Sequence, residues 1–442
     1  MTDGFSSYTE SPARNSKHRI KIDLKSVNGG RESIKPSARR HTKPHLLCIG
    51  GEDHNLRIPF LLALRRRGFA VTAAGTGDPA PFTRHGIDFH PFRFDRFINP
   101  LADRSAIRAL TRLITKVGPD IAQSFDTKPN LLVPIAARHL PDVHAIRTIN
   151  GLGQIYSSRS AMTLTLRQVF PTLHRIAARF TTMTIFQNSD DRAFFERHRM
   201  IGQGSLRLIP GSGVDIESFD RAVLDGPSST EIRQQLNLGQ AEVVITVARM
   251  THQKGIPTLL AAAALVNKVR PGVRFLLVGP RDSEGSSAVT QADIDCHAPY
   301  VIWAGKRSDI PALLRISDVF AFPTEYREGV PRALLEAALA NLPIVATTMP
   351  GCTDVVRDRW SGFLVPPRDP HALAERILGV LREREAARAM AARAGLLVRR
   401  EFGLQLTADR YAEAYLAALN HSPLYGDRSG AGLEMSLQQV EP

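Results

Sequence analysis

The chain of 442 residues is 43% hydrophobic and 23% charged and has a net charge of +14, which suits two globular domains and an anionic partner. Its three cysteines, Cys48, Cys296 and Cys352, are scattered along the sequence, which excludes a disulfide framework and a cysteine-based metal site. No apolar run reaches the roughly 20 residues of a membrane span and no secretory signal core is present, so we expect a cytoplasmic protein.

Residues 1–44 contain ten Lys or Arg against four Asp or Glu, with few large apolar groups. This composition predicts a disordered basic N-terminal tail. Such a tail is either a solvated segment or a tether to anionic lipid, because each basic residue near a lipid surface gains about 1 kcal/mol.

The segment 45–215 alternates short apolar runs with amphipathic stretches. Strands are predicted at 46–49, 69–74, 121–125, 144–149 and 181–187, with helices at 56–67, 103–117, 130–138 and 161–180 between them. This alternation is typical of a parallel sheet that is covered on both faces.

The segment 216–400 shows the same alternation, with strands predicted at 243–247, 275–278, 301–304, 319–321, 344–346 and 363–365. A helix at 401–420 is expected to pack back on the first domain, and 421–442 is predicted to be a flexible tail. The fold class is therefore α/β, with two Rossmann-like, doubly wound parallel-sheet domains facing a cleft. Ligands of such sheets bind at the carboxyl ends of the strands.

The most informative segment runs from Pro323 to Glu336 in the second domain. Pro331 suits a helix start, so Gly329 and Val330 are expected to present free amides to an anion such as a diphosphate. Glu328 and Glu336 are separated by about 12 Å of helical rise, which suits the two ends of an extended nucleotide-sugar. The alternative is an exposed helix with two solvated glutamates.

A second cluster, Arg249 to Lys254, follows a predicted strand and precedes a helix. Cations at that strand end can neutralise the charge that builds on a departing diphosphate. Glycines that would allow close backbone approach follow other strands at Gly279 and at Gly50–Gly51. Each of these features can also be a plain exposed turn.

Taken together, these motifs resemble glycosyltransferase family four, the retaining enzymes of GT-B fold. The resemblance rests on the Glu, seven residues, Glu spacing and on its companions in the same order, which are Ala248-Arg249, Lys254-Gly255, Gly279, Pro350-Gly351 and 362–365. The first half resembles a bacterial subgroup that builds lipid-linked oligosaccharide, capsule or exopolysaccharide, through 127–130, 151–153, 186–188 and 211–215.

The resemblance implies a role for each candidate residue. Arg249 and Lys254 would hold the donor diphosphate, Glu328 would contact the donor sugar and Glu336 the ribose. The amides of Gly329 and Val330 would touch the phosphate or sugar, Gly279 would form a donor-side turn, and Gly50 and Gly51 would let the first half close on the donor. The family needs no metal or other cofactor, and its usual donor is a UDP-sugar that gives up a hexose or N-acetylhexosamine.

Two departures concern the first half, where many relatives have His at the positions of Gln123 and Asn150. The acceptor implied by the subgroup is a polyprenyl-diphosphate-linked sugar or another saccharide. The stretch 157–180 mixes apolar residues with Arg159, Arg167, Arg175 and Arg179, which predicts either docking on an anionic inner membrane or a helix that covers the sheet.

Two other kinds of protein stay open from the sequence alone. One is another enzyme of the same fold, an epimerase of nucleotide-sugars or a phosphorylase. The other is a basic nucleic-acid-binding protein, although the sequence has no helix-turn-helix, zinc or aromatic-basic motif. We therefore expect a nucleotide-sugar donor and no nucleic-acid partner.

Overall fold

The computed structural model describes residues 43–51, 54–94, 100–157, 161–281 and 287–420. The tails predicted at 1–44 and 421–442 lie outside the described residues, except for positions 43 and 44. None of the helices in these ranges combines the length and the apolar composition that a membrane crossing requires.

A parallel sheet in the order β3-β2-β1-β4-β5-β6-β7 forms the centre of the first half. Its strands are β1 (His45–Gly50), β2 (Ala70–Gly75), β3 (Asp88–Pro91), β4 (Ile121–Phe125), β5 (His144–Ile149), β6 (Met183–Phe186) and β7 (Ser205–Leu208). The sheet of the second half has the order β10-β9-β8-β11-β12-β13. Its strands are β8 (Glu242–Val247), β9 (Val273–Val278), β10 (Val301–Trp303), β11 (Val319–Phe322), β12 (Ile344–Thr347) and β13 (Phe363–Val365).

Helices connect the strands and cover both faces of each sheet. Those of the first half are α1 (Ile58–Arg66), α2 (Ala80–Arg84), α3 (Pro100–Val117), α4 (Thr127–Ala137), α5 (Gly153–Ser157), α6 (Ala161–Ala178) and α7 (Ser189–Arg197). Those that follow are α8 (Ile216–Asp225), α9 (Ser229–Gln235), α10 (Ile256–Val269), α11 (Gln291–Asp295), α12 (Ile310–Arg315), α13 (Arg332–Leu339), α14 (Cys352–Val355), α15 (Pro370–Arg382), α16 (Arg384–Glu401) and α17 (Leu404–Asn420).

The predicted fold class of two doubly wound parallel sheets is confirmed. Every predicted strand is present, but β3 and β7 were not predicted. Both lie at the edges of the first sheet, and most of their side chains are partly or fully exposed. An edge strand does not need the continuous apolar run that identifies a buried parallel strand, so the sequence gives it a weaker signal.

The last helix, α17, packs its two tyrosines on the first sheet. The Tyr411 ring lies 4.9 Å from that of Phe60, and the Tyr415 hydroxyl donates to Oε1 of Gln123 at 3.0 Å. The amide of Gln123 donates in turn to Oγ1 of Thr148 at 3.0 Å. Gln123 is therefore a buried link between the sheet and α17.

The strand orders place one switch point in each sheet. The chain leaves β1 for β2 on one side and returns to β4 on the other, and β8 is likewise flanked by β9 and β11. Loops that leave neighbouring strands in opposite directions open a crevice at the carboxyl ends of those strands, where ligands bind. The loops after β1, β4, β8 and β11 therefore define the binding region.

Asp126, directly after β4, has an unusual backbone conformation for a residue with a side chain. Its φ is 70° and its ψ is 160°, a region that is essentially restricted to glycine. A strained residue at a switch point persists only when its surroundings fix it, and such residues cluster at functional sites. The side-chain contacts of Asp126, described below, supply that fixation.

We expect Asp126→Gly to be more stable than Asp126→Ala by about 1–3 kcal/mol, because both remove the carboxylate but only glycine relieves the backbone strain. Urea unfolding of the two variants measures this difference. The same pair at exposed Asp142 is the control, where glycine should be no more stable than alanine. An alanine variant at 126 as stable as the glycine variant would contradict the strain.

Candidate active site

A cavity of about 350 Å³ lies between the carboxyl ends of the two sheets. Its second-half wall consists of Arg249, Lys254, Tyr326, Glu328, Gly329, Val330, Arg332 and Leu335. Its first-half wall includes Leu56, Arg57, Pro59, Phe60, Phe125, Asp126, Asn150 and Gln187. The fold therefore brings together five of the predicted site residues, which are Arg249, Lys254, Glu328, Gly329 and Val330.

Lys254 and Glu328 form an ion pair inside this cavity. The distance from Nζ of Lys254 to Oε1 of Glu328 is 2.5 Å, and both side chains are largely buried. The Lys254 ammonium also lies 5.2 Å from the ring of Tyr326. Lys254 follows β8 and Glu328 follows β11, so the switch point of the second sheet creates the pair.

Helix α13 begins directly behind this pair. The sequence predicted Pro331 in the first turn of this helix. In the structure it is the residue directly before the first helical position. One expectation is wrong: the amide of Gly329 is not free, because it donates to the carbonyl oxygen of Asn150 at 3.1 Å. Of the two predicted amides, that of Val330 is the one left to meet an anion at the helix start.

Glu336 is not among the cavity-lining residues of the described chain. It lies one helical turn beyond Arg332, and its Oε1 accepts from Nε of Arg332 at 2.8 Å. Arg332 itself lines the cavity. In this structure Glu336 is paired with an arginine of the wall, whereas the resemblance implied a direct contact with ribose.

The three remaining predicted glycines lie behind the walls. The amide of Gly51 donates to Oδ2 of Asp126 at 2.9 Å, and Gly50 packs against the ring of His54. Gly279 packs against the backbone of Ala248, beside Arg249. All three support residues that line or adjoin the cavity. No group of three or more His, Cys, Asp or Glu side chains that could hold a metal occurs within the described ranges.

An ion pair on the first-half wall was missed by sequence reasoning. Nη2 of Arg57 lies 3.1 Å from Oδ1 of Asp126, and the guanidinium lies 4.5 Å from the centre of the Phe125 ring. Burial raises the pKa of Asp126, but Arg57, the Gly51 amide and the Asn150 side chain outweigh burial and lower it. The Asp126 carboxylate is therefore charged and fixed by three donors.

Comparison with known proteins places both halves in glycosyltransferase families. Residues 60–218 match the family described as Glycosyltransferase Family 4, and residues 228–395 match Glycosyl transferases group 1. The second match covers the whole second sheet, and the first covers β2 to β7 of the first sheet.

Two curated relatives are transferases that act on undecaprenol-linked sugars. The chain is 24% identical, over 83% of its own length and 96% of the relative's, to the N,N'-diacetylbacillosaminyl-diphospho-undecaprenol alpha-1,3-N-acetylgalactosaminyltransferase of Campylobacter jejuni. It is 29% identical, over 62% of its length and 69% of the relative's, to the UDP-Gal:alpha-D-GlcNAc-diphosphoundecaprenol alpha-1,3-galactosyltransferase of Escherichia coli.

Among solved structures, HepE of Anabaena in complex with UDP-glucose has the same fold. The TM-score is 0.68 at 19% identity, over 84% of this chain and 99% of the HepE chain. Two facing parallel sheets, a cavity at their switch points and matches to both family halves lead to one conclusion. The chain belongs to the family four glycosyltransferases and is a hexosyltransferase of GT-B fold.

Proposed function

We propose that this glycosyltransferase moves a hexose or N-acetylhexosamine from a UDP-sugar to a lipid-linked or oligosaccharide acceptor, with retention at the anomeric carbon. The observation that carries the proposal is the Lys254–Glu328 pair beside the start of α13. The relatives named above and the UDP-glucose complex of HepE support this donor and acceptor class.

The charges of the second-half wall fit the junction between a sugar and its diphosphate. Phosphate oxygens need cations and amides, which Lys254, Arg249 and Val330 supply, whereas sugar hydroxyls need an acceptor such as Glu328. Because Lys254 and Glu328 are in contact, the cation for a phosphate lies next to the acceptor for a sugar hydroxyl. In a nucleotide-sugar, the phosphate and the sugar hydroxyls likewise lie on either side of the anomeric carbon.

The first-half wall fits the sugar of an acceptor. The Arg57–Asp126 pair offers both donors and acceptors and is neutral as a whole, which matches sugar hydroxyls better than it matches a phosphate. Leu56, Pro59 and Phe60 line the same wall and provide apolar surface for the C–H face of a sugar ring.

In the proposed reaction, the bond from the anomeric carbon to the phosphate oxygen breaks and a bond to the acceptor oxygen forms on the same face of the sugar. The proton of the acceptor hydroxyl passes to the departing phosphate. Arg249 and Lys254 stabilise the charge that develops on that phosphate, and this kind of electrostatic stabilisation is often the largest catalytic contribution.

Helix α6 supports contact with a membrane that carries the acceptor. Val169 and Ile176 are exposed at helical spacing along one stripe, with Leu164 near its beginning and Phe180 in the turn just after its end. Arg175 and Arg179 are exposed beside them, and Arg175 donates to the carbonyl oxygen of residue 198. Arg167 is half-buried and donates to the carbonyl oxygens of residues 155 and 156. Arg159 lies outside the described residues. Two of the three arginines in the described part of this stretch are therefore exposed, as docking on an anionic surface would require.

The function is tested by a donor screen. The purified chain is incubated with radiolabelled nucleotide-sugars and lipid extracts, and the anomer of any product is read by NMR. Transfer from a UDP-sugar with retained configuration is expected. Inversion would contradict the proposed stereochemistry, and turnover of a nucleotide-sugar without an acceptor would favour an epimerase.

Removing the donor-site charges should reduce transfer strongly. Glu328→Gln, Lys254→Met and Arg249→Met are each expected to lower kcat/KM about a hundred- to a thousandfold, because each removes a group placed at the developing charge. The double variant Lys254→Met/Glu328→Gln leaves neither partner of the pair charged and alone, so it should fold and stay inactive.

Lys268→Met, at an exposed lysine in the last turn of α10, is the matched control and should keep full activity. Thermal unfolding of every variant separates loss of chemistry from loss of fold. Parental turnover by the three site variants would exclude the assigned donor site.

The apolar stripe of α6 is tested by flotation with liposomes. The chain should float more with anionic than with neutral liposomes. The variant Ile176→Ser/Phe180→Ser should reduce that recovery, because it removes apolar surface that membrane docking would bury in the bilayer. Leu396→Ser, at an exposed leucine on α16, should change nothing. Equal recovery with both lipids, insensitive to salt and to the stripe variant, would reject membrane docking.

A further inference from the structure

The loop that carries Glu328, residues 326–330 (the Glu328 loop), belongs to the second half but is bonded to the first. The amide of Gly329 donates to the carbonyl oxygen of Asn150 at 3.1 Å. Nη2 of Arg327 lies 3.3 Å from Oδ1 of Asp191. The position of Glu328 therefore depends on the first sheet as well as on its own.

Asn188 makes the central contact of this junction. Its side chain is fully buried, and its Oδ1 accepts from the backbone amide of Asp191 at 2.7 Å, which caps the N-terminus of α7. Its Nδ2 donates to the carbonyl oxygens of Glu328 at 3.1 Å and of Gly329 at 3.3 Å, and to Oδ2 of Asp191 at 2.8 Å. One amide group thus caps a helix of the first half and holds two consecutive carbonyls of the second.

The two halves approach closely only because glycines face each other here. A Cβ on Gly151 would lie 2.5 Å from the carbonyl oxygen of Arg327, and a Cβ on Gly329 would lie 2.1 Å from Oε1 of Gln187. Contacts shorter than 3.0 Å essentially never occur for real Cβ atoms, and at Gly151 the contacted atom is backbone, so a side chain there would push the Glu328 loop away. The carbonyls of the Glu328 loop are consequently within reach of Asn188.

We infer that Asn188 is a positioning residue for Glu328. Through Asn188, the alignment of the first sheet, which we propose binds the acceptor, determines how Glu328 contacts the donor sugar. This inference rests on the role proposed above for Glu328. Asn188 fixes the carbonyls of Glu328 and Gly329, and so fixes the backbone from which the Glu328 carboxylate reaches Lys254. A displacement of about 1 Å in a catalytic group can cost a hundredfold in rate.

The chemistry of the side chain explains why an amide is needed. Ser and Asp cap helices about as well as Asn, so either could accept from the Asp191 amide. Neither can replace the Nδ2 donor, because an ionised carboxylate has no hydrogen to donate and a serine hydroxyl is too short to span the same gap. Asp at 188 would also face the carboxylate of Asp191, whose pKa burial already raises to about 6.

The test is therefore Asn188→Ser, which keeps the cap and removes the donors, with Asn188→Asp as a second variant. Asp369→Ser at the N-cap of α15 is the matched control for a change of capping residue. For Asn188→Ser we expect kcat to fall ten- to a hundredfold, the donor KM to change less than threefold, and the affinity for UDP measured by calorimetry to stay parental. Its thermal midpoint should lie moderately below that of Asp369→Ser, because buried carbonyls lose their donor.

Hydrogen exchange gives a readout that does not depend on activity. The amides of residues 328–330 should exchange at least tenfold faster in Asn188→Ser than in the parental chain, while those of α7 should not change. Unchanged exchange in the Glu328 loop, or parental kcat, would overturn the inference. A joint loss of UDP binding and thermal stability would also overturn it, since it would show that Asn188 only supports the fold.

A failure of the proposed function can be distinguished from a failure of the inference about Asn188. If the parental chain neither binds UDP nor transfers sugar, the contacts of Asn188 with the Glu328 loop no longer have a catalytic explanation. The hydrogen-exchange comparison would still decide whether Asn188 holds the Glu328 loop on the first sheet.

Discussion

The ion pair between Lys254 and Glu328 is the interaction on which the rest of the site depends. It joins the loops after β8 and β11, so it exists only because the order of the second sheet makes these strands neighbours. In the proposed function, this cation and carboxylate in direct contact at the start of α13 provide adjacent positions for a phosphate and a sugar. The pair is largely buried, which strengthens its electrostatic interactions with a ligand, and the Lys254 ammonium lies 5.2 Å from the Tyr326 ring.

The first half completes the site in two ways. Its switch point, between β1 and β4, holds the Arg57–Asp126 pair on the opposite wall of the cavity. Its strand-end loops also bind the backbone of the Glu328 loop through Asn150 and Asn188. The two sheets are therefore connected through the backbone at Glu328, the residue that we propose contacts the donor sugar. Helix α17 adds to this connection by returning from the second half to pack on the first.

Sequence reasoning identified what local chemistry and strand order determine. Buried strands have continuous apolar runs, and charged residues after neighbouring strands must meet at one edge of the sheet, so the cluster of Arg249, Lys254 and Glu328 was predictable. Contacts between the halves were not, because nothing local to Gly329 indicates that its amide is used by Asn150. The place of Asp126 in the cavity could not be predicted for a related reason, because its glycine-like backbone conformation is visible only in the structure. The orientation of Glu336 toward Arg332 likewise follows from helical geometry that spacing alone left open.

A crystal structure with bound UDP tests the central claim most directly. The account predicts that the diphosphate lies at the start of α13, with its oxygens within hydrogen-bonding distance of Arg249, Lys254 and the amide of Val330. It also predicts that Lys254 either keeps its contact with Glu328 or replaces it with a contact to the diphosphate, within the same cavity. A nucleotide bound elsewhere on the chain, or bound in this cavity with its phosphates turned away from Arg249 and Lys254, would contradict the account.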